Sequence, residues 1–112
     1  MKIAFSAKGK GWEDPIDPRF GRSAYFLLYD EENDKLSIID NRDAENEAHG
    51  AGPRTAQRLL DEKVSVLITG NGPGGNAAGV LSRAGIKVYA GAVSMNIREA
   101  YEAFRSGKLP LF

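Results

Sequence analysis

Apolar residues recur along this chain with two periods, and the two kinds of segment alternate. Short β-branched and aromatic runs are typical of strands, and they predict five strands over residues 2–6, 24–29, 35–40, 64–69 and 86–90. Segments with apolar residues every third or fourth position predict three helices, over residues 53–63, 77–84 and 97–106. The predicted order is therefore βββαβαβα, an α/β fold.

The order of elements indicates where a ligand would bind. Strands separated by helices pair in parallel, whereas the short turn over residues 30–34 makes an antiparallel hairpin, so the second strand runs antiparallel in a mixed sheet. Four connections then leave from one edge, over residues 7–23, 41–52, 70–76 and 91–95. Because open α/β sheets bind ligands at the carboxyl ends of their parallel strands, we expect the binding site at this edge.

Length and composition exclude several classes of protein. A chain of 112 residues is one domain, spanning residues 1–112. Fifteen basic residues balance fifteen acidic ones, which argues against a nucleic-acid partner. No apolar run is long enough for a membrane span and no signal peptide opens the chain, so we expect a soluble cytoplasmic protein. The absence of cysteine removes disulfides, thiolate ligands and a catalytic thiol.

The glycine-rich connection over residues 70–76 reads Gly-Asn-Gly-Pro-Gly-Gly-Asn and precedes a predicted helix. It matches the dinucleotide-binding spacing, but no acidic residue ends the next strand and Pro73 removes one amide, which disfavours a dinucleotide. An ATP-type phosphate loop is excluded because no Gly-Lys-Ser/Thr follows. Two interpretations stay open, a flexible turn and a site where helix N-terminal amides bind an anion.

The first long connection contains Trp12, Ile16 and Phe20, which favours an ordered binding loop over a linker. Its charged residues are Lys8, Lys10, Glu13, Asp14, Asp17, Arg19 and Arg22. They either neutralise one another on the surface, with Arg22 as a tie to Asp14 or Asp17, or offer an arginine fork to an anionic ligand.

His49 is the single imidazole, and it lies on the predicted ligand-facing edge. It is either an ordinary surface residue or a terminal ligand to iron or another transition metal. No serine or aspartate at a recognisable spacing supports a catalytic triad, and the loop carboxylates show no metal-binding pattern. The sequence therefore predicts no catalytic residues.

Several motifs together resemble the dinitrogenase iron–molybdenum cofactor biosynthesis family over essentially the whole chain. They are Asp-Pro-Arg-Phe-Gly-Arg over residues 17–22, His-Gly-Ala-Gly over 49–52, Thr-Gly at 69–70 with Gly-Asn-Ala at 75–77, and Ala-Gly-Ile-Lys-Val-Tyr over 84–89. The resemblance implies a ribonuclease H-like fold with a mixed five-stranded sheet in the order 3-2-1-4-5. It also implies that the domain carries an iron–sulfur-based cofactor or precursor without turning over a substrate.

One position departs from the family's pattern. Cofactor-carrying members often have histidine before the Phe-Gly of the first loop, where this chain has Arg19. Arginine has no lone pair for a metal but can pair with an anionic cluster, so His49 is the predicted metal ligand. Without thiolates, any cluster would be held transiently. The predicted cofactor-binding residues are Lys8, Arg19, Phe20, Gly21, Arg22, His49, Gly50, Gly72, Gly74, Gly75 and Asn76.

The leading hypothesis is a non-catalytic, monomeric carrier of an iron–sulfur or iron–molybdenum-type cluster, with cluster donor and acceptor proteins as partners. One alternative is an enzyme or sensor that binds a small phosphorylated metabolite at residues 70–76. Another is a protein-interaction module, for which the sequence shows no specific exposed stripe.

Overall fold

The computed structural model describes residues 1–46 and 50–112, and it confirms the predicted order of strands and α-helices. The strands are β1 (Lys2–Ala7), β2 (Tyr25–Asp30), β3 (Lys35–Asp40), β4 (Val66–Ile68) and β5 (Lys87–Tyr89). The α-helices are α1 (Ala51–Asp61), α2 (Gly75–Arg83) and α3 (Ile97–Arg105), and a short 3-10 helix over Arg42–Asn46 follows β3.

The strands form one mixed sheet in the order β3-β2-β1-β4-β5. β2 is antiparallel to both of its neighbours, while β1, β4 and β5 are parallel to one another. The predicted topology is confirmed. Since β3 is antiparallel to β2, it runs in the same direction as β1, β4 and β5, and the carboxyl ends of these four strands lie at one edge of the sheet.

Hydrophobic cores fill both faces of the sheet because neighbouring residues of a strand point to opposite sides. On one face, Leu67 of β4 is buried with residues of α1 and α2. On the other face, its neighbour Ile68 is buried with Ile97 and Ala100 of α3. The sheet is therefore covered by two helices on one side and by one helix on the other.

The helix ends are built differently. α3 begins with the capping box that the sequence predicts: the Asn96 side chain accepts a hydrogen bond from the Glu99 amide at 2.8 Å, and the Glu99 carboxylate accepts one from the Asn96 amide at 3.0 Å. α1 and α2 have no such side-chain cap.

The C-terminal tail, residues 109–112, pairs with the outer edge of β5, which the sequence analysis did not predict. Tyr89 and Leu111 form an antiparallel bridge. The Ala90 amide donates to the Pro110 carbonyl at 3.2 Å, and the Phe112 amide donates to the Val88 carbonyl at 2.8 Å. In the part of the chain that the structure describes, no helix has the length and apolar character to span a membrane.

Candidate functional site

The connections that follow the parallel strands meet at one edge of the sheet, which we call the rim. The Asn71 amide donates to the Pro18 carbonyl at 2.8 Å and thereby joins the glycine loop (residues 70–76) to the first loop (residues 8–24). The Gly91 amide donates to the Gly70 carbonyl at 2.8 Å, so the connection after β5 lies there too. The geometry agrees with the edge that the topology predicts.

The first loop is ordered by contacts on both faces of the sheet. Ile16 is buried in the core beneath α3, whereas Phe20 is buried in the core beneath α1 and α2. The Asp17 amide also donates to the Ser6 carbonyl of β1 at 2.9 Å. The loop therefore crosses the rim as a packed segment, as its apolar residues predict.

Asp17 is a fully buried carboxylate that fixes the conformation of this loop. It accepts hydrogen bonds from the Arg19 amide at 3.0 Å, from Arg19 Nε at 3.1 Å and Nη2 at 3.0 Å, and from the Ala24 amide at 3.3 Å. Burial tends to raise the pKa of Asp17, but these hydrogen bonds and the positive charge of Arg19 outweigh it and lower the pKa. Arg19, with about half of its side chain exposed, is thus held at the surface.

A second buried polar cluster joins β3, the first loop and α1. The Gly21 carbonyl accepts hydrogen bonds from Asn41 Nδ2 at 3.2 Å and from Thr55 Oγ1 at 2.9 Å. Sequence reasoning did not identify Asn41 and Thr55. One available signal was the i, i+4, i+8 spacing that places Thr55 with Ala51 and Leu59 on the buried stripe of α1.

The N-termini of α1 and α2 lie side by side at the rim. A Cβ atom added to Gly52 in the first turn of α1 would lie 3.3 Å from the Cβ atom of Ala77 in the first turn of α2. The N-cap residues are Gly50 and Gly74, and neither helix receives a side-chain hydrogen bond at its cap. Since the first amides of a helix have no acceptor within it, two positive helix ends converge here.

Close backbone contact positions the first loop against the α1 end. A Cβ atom added to Gly21 would lie 2.9 Å from the Gly52 Cα atom and 3.0 Å from its nitrogen, so only glycine fits there. Arg22 follows directly, is half-buried, and donates from Nη1 to the Ala44 carbonyl at 3.5 Å. Of the two aspartates that the sequence offered to Arg22, Asp17 is paired instead with Arg19.

The remaining residues predicted for the site take several roles. Lys8 is exposed at the start of the first loop, and Gly75 and Asn76 are exposed in the first turn of α2. Phe20 is buried and packs edge-to-face on Phe26 with ring centroids 5.6 Å apart, so its side chain belongs to the core. Two further predicted residues are Gly72, which packs against the ring of Phe112, and His49, which lies outside the described residues.

The hydrogen-bond donors and possible metal ligands at the rim indicate which kind of ligand could bind there. Within residues 1–46 and 50–112, no cluster of three or more His, Asp or Glu side chains is arranged to hold a metal ion. Arginine, lysine and backbone amides donate hydrogen bonds and favour negative charge. These donors at the rim favour a negatively charged ligand.

Comparison with known proteins agrees with this architecture. The chain is a small α/β domain with several loops gathered at one edge of a mixed five-stranded sheet. The model of the family described as dinitrogenase iron–molybdenum cofactor matches residues 1–107, and the chain belongs to that family.

Solved structures extend the comparison. The apo form of the orange protein from Desulfovibrio gigas superposes with a TM-score of 0.93 at 36% identity, covering 99% of this chain and 92% of that one. A Thermotoga protein of the DUF35 family, solved by NMR, superposes with a TM-score of 0.83 at 34% identity, covering 98% of this chain and 91% of that one. No curated protein gives a significant match to the sequence.

Proposed function

We propose that this protein is a non-catalytic carrier of an anionic metallocluster, of the iron–sulfur or iron–molybdenum type, or of its precursor during assembly. Membership of a family named for the dinitrogenase iron–molybdenum cofactor supports this class of cargo. The similarity to an orange protein whose structure was solved in an apo form supports binding rather than turnover.

The observation that carries the proposal is the pair of uncapped helix ends at the rim. Amides of residues 75–77 and the start of α1 point from two adjacent N-termini, where helix dipoles favour negative charge. By contrast, the start of α3 is closed by the capping box of Asn96 and Glu99.

Cationic side chains add to this field. Arg19 is fixed by its fork to Asp17, and Lys8 and Arg22 belong to the same loop. In the proposed complex these side chains neutralise the cluster, the amides of the α2 end donate hydrogen bonds to its sulfur or oxygen atoms, and His49 is a terminal ligand. Because this chain has no cysteine, release of the cargo to an acceptor protein breaks no Fe–S(Cys) bond of this protein.

A substitution at the α2 cap tests the proposal sharply. Gly74 has extended backbone angles (φ −65°, ψ 169°), and a Cβ atom there meets nothing within 4 Å, so Gly74→Asp is sterically free. The new carboxylate would cap the α2 amides and stabilise the fold by about 0.5–1 kcal/mol. It would also compete with the cargo, so we expect a higher melting temperature and at least tenfold weaker binding.

Binding is measured by anaerobic titration with isolated iron–molybdenum cofactor and with a synthetic cubane iron–sulfur cluster bearing thiolate ligands, followed by visible absorption. Ser65→Asp, an exposed position at the opposite end of β4, is the control for added charge and should bind normally. Unchanged binding by Gly74→Asp would contradict the proposed site. His49→Ala should weaken binding, and equal affinity would remove its role as ligand.

A thermal-shift screen separates the carrier from a protein that binds phosphorylated metabolites. A ligand at 100 times its dissociation constant stabilises the native state by roughly 2.7 kcal/mol. Stabilisation by nucleotides or sugar phosphates, without any by the clusters, would overturn the carrier proposal.

A further inference from the structure

We infer that Phe112 is a positioning residue, which clamps the glycine loop (residues 70–76) and so fixes the α2 amides at the rim. The consequence for cargo rests on the proposed function, whereas the clamp itself is a property of the protein alone. Residue 112 lies outside the span that the family model matches, residues 1–107.

The clamp is a ring-on-backbone contact. The tail is held to β5 by the bridge between Tyr89 and Leu111 and by the hydrogen bond from the Phe112 amide to the Val88 carbonyl. This pairing places the Phe112 ring against Gly72, and a Cβ atom added to Gly72 would collide with three carbon atoms of the ring. The ring therefore occupies the place where a side chain of residue 72 would stand.

The glycine loop needs such a contact because its own backbone is weakly restricted. Three of the five residues that precede α2, over 70–74, are glycine, which has the widest choice of backbone angles, while Pro73 fixes its own φ. Hydrogen bonds of Gly70 and Asn71 anchor the start of the loop to the rest of the rim. Beyond them, the Phe112 ring rests on Gly72 just before the loop enters α2, which sets the direction of the first amides of that helix.

Leu111 is a matched control for Phe112. The two residues are adjacent in the tail and equally exposed, at 63% and 61%, but the ring that meets Gly72 belongs to Phe112. Phe112→Ala and Leu111→Ala thus remove similar exposed apolar groups, and only the first removes the clamp.

The first experiment uses the protein without cargo. NMR of the parent should show Gly72 α-protons shifted by the aromatic ring and loop amides with order parameters near 0.85. In Phe112→Ala the ring-induced shift should disappear and the order parameters of the loop amides should fall towards 0.6. Phe112→Tyr, which keeps the ring, should behave like the parent, and so should Leu111→Ala. Equal loop order in Phe112→Ala and Leu111→Ala would overturn the inference.

Gly72→Ala provides the reciprocal perturbation, because its methyl group displaces the ring. The double variant with Phe112→Ala should then lose no more loop order than the worse single variant. Additive losses would show that the two residues act independently and would overturn the clamp.

The second experiment titrates the same variants with the synthetic cubane cluster. We expect Phe112→Ala to bind roughly three- to tenfold more weakly at an unchanged melting temperature, with parental affinity in Phe112→Tyr and Leu111→Ala. Parental affinity in Phe112→Ala would refute the positioning role. If the parent itself binds no cluster, the proposed function fails, while the NMR result still decides the clamp.

Discussion

Replacing the buried carboxylate of Asp17 by an amide should destabilise the protein strongly. The carboxylate accepts four hydrogen bonds, three from Arg19 and one from the Ala24 amide. Asp17→Asn leaves one acceptor oxygen and turns an NH2 group towards donors. Breaking a buried ion pair costs about 3–5 kcal/mol, but Arg19 is half-exposed and can be rehydrated, so we expect about 2–3 kcal/mol. For a chain of this length that loss lowers the melting temperature by roughly 8–12 °C.

An exposed copy of the same motif supplies the control. Asp40 and Arg42 form the same fork, with Nε to Oδ1 at 3.0 Å and Nη2 to Oδ2 at 2.7 Å, but both side chains are more than half exposed. Because water screens this pair, Asp40→Asn should leave the melting temperature within experimental error, although hydrogen bonds from Arg42 lower the pKa of Asp40 to about 2.

The assay is urea or thermal unfolding followed by circular dichroism as a function of pH. The pKa of Asp17 is lowered in the folded state, so its contribution is fully present above the ordinary carboxyl pKa near 4 and is lost as the pH falls through the folded value. The difference between the parent and Asp17→Asn should therefore be constant from about pH 6 to 8 and shrink below about pH 4. A difference under about 0.5 kcal/mol, or one that grows on acidification, would refute the reasoning.

Three further predictions concern packing, capping and titration. Gly21→Ala should lower the free energy of unfolding in urea by about 1–3 kcal/mol because its methyl group meets the α1 backbone. Gly75→Ala, which has open space around its Cβ atom, should leave this free energy unchanged or raise it by up to about 1 kcal/mol. Asn96→Ala should remove the α3 cap and lower stability by about 1 kcal/mol, and an unchanged melting temperature would argue against the capping box. Burial and a 2.6 Å hydrogen bond to Glu31 raise the pKa of Tyr101 to about 12. The stability that this group contributes is therefore present below pH 10 and is lost as the pH rises towards 12. Absorbance titration at alkaline pH, with Tyr101→Phe as the reference, checks this prediction.

The sequence pattern predicted the type and order of the elements, whereas the strand order 3-2-1-4-5 was implied by the family resemblance. Residues 64–69 are mostly β-branched and apolar, which predicts a buried strand, and the α3 stripe of Ile97 and Ala100 begins right after a recognisable cap. The connections between these elements then determined which edge collects the loops. None of this required knowledge of a specific contact.

Pair choices within the rim were not predictable in the same way. Asp17 pairs with Arg19 rather than Arg22 because an Asx-type turn brings both the amide and the guanidinium of Arg19 to one carboxylate. The repeat of this Asp-x-Arg fork at Asp40 and Arg42 is a local signal that could have revealed it. Residues 109–112 gave no strand prediction because Pro110 interrupts a short apolar run, so the contact of Phe112 with Gly72 was not predicted.

The first loop is anchored by Ile16 in one core and by Phe20 in the other, so it cannot peel away without exposing apolar surface on both faces of the molecule. The side chain of Arg19 is thus fixed in position when the polypeptide folds, before any ligand binds. Association with a rigid guest should accordingly show a small heat-capacity change and little loss of conformational entropy, as expected of a receptor that is preorganised.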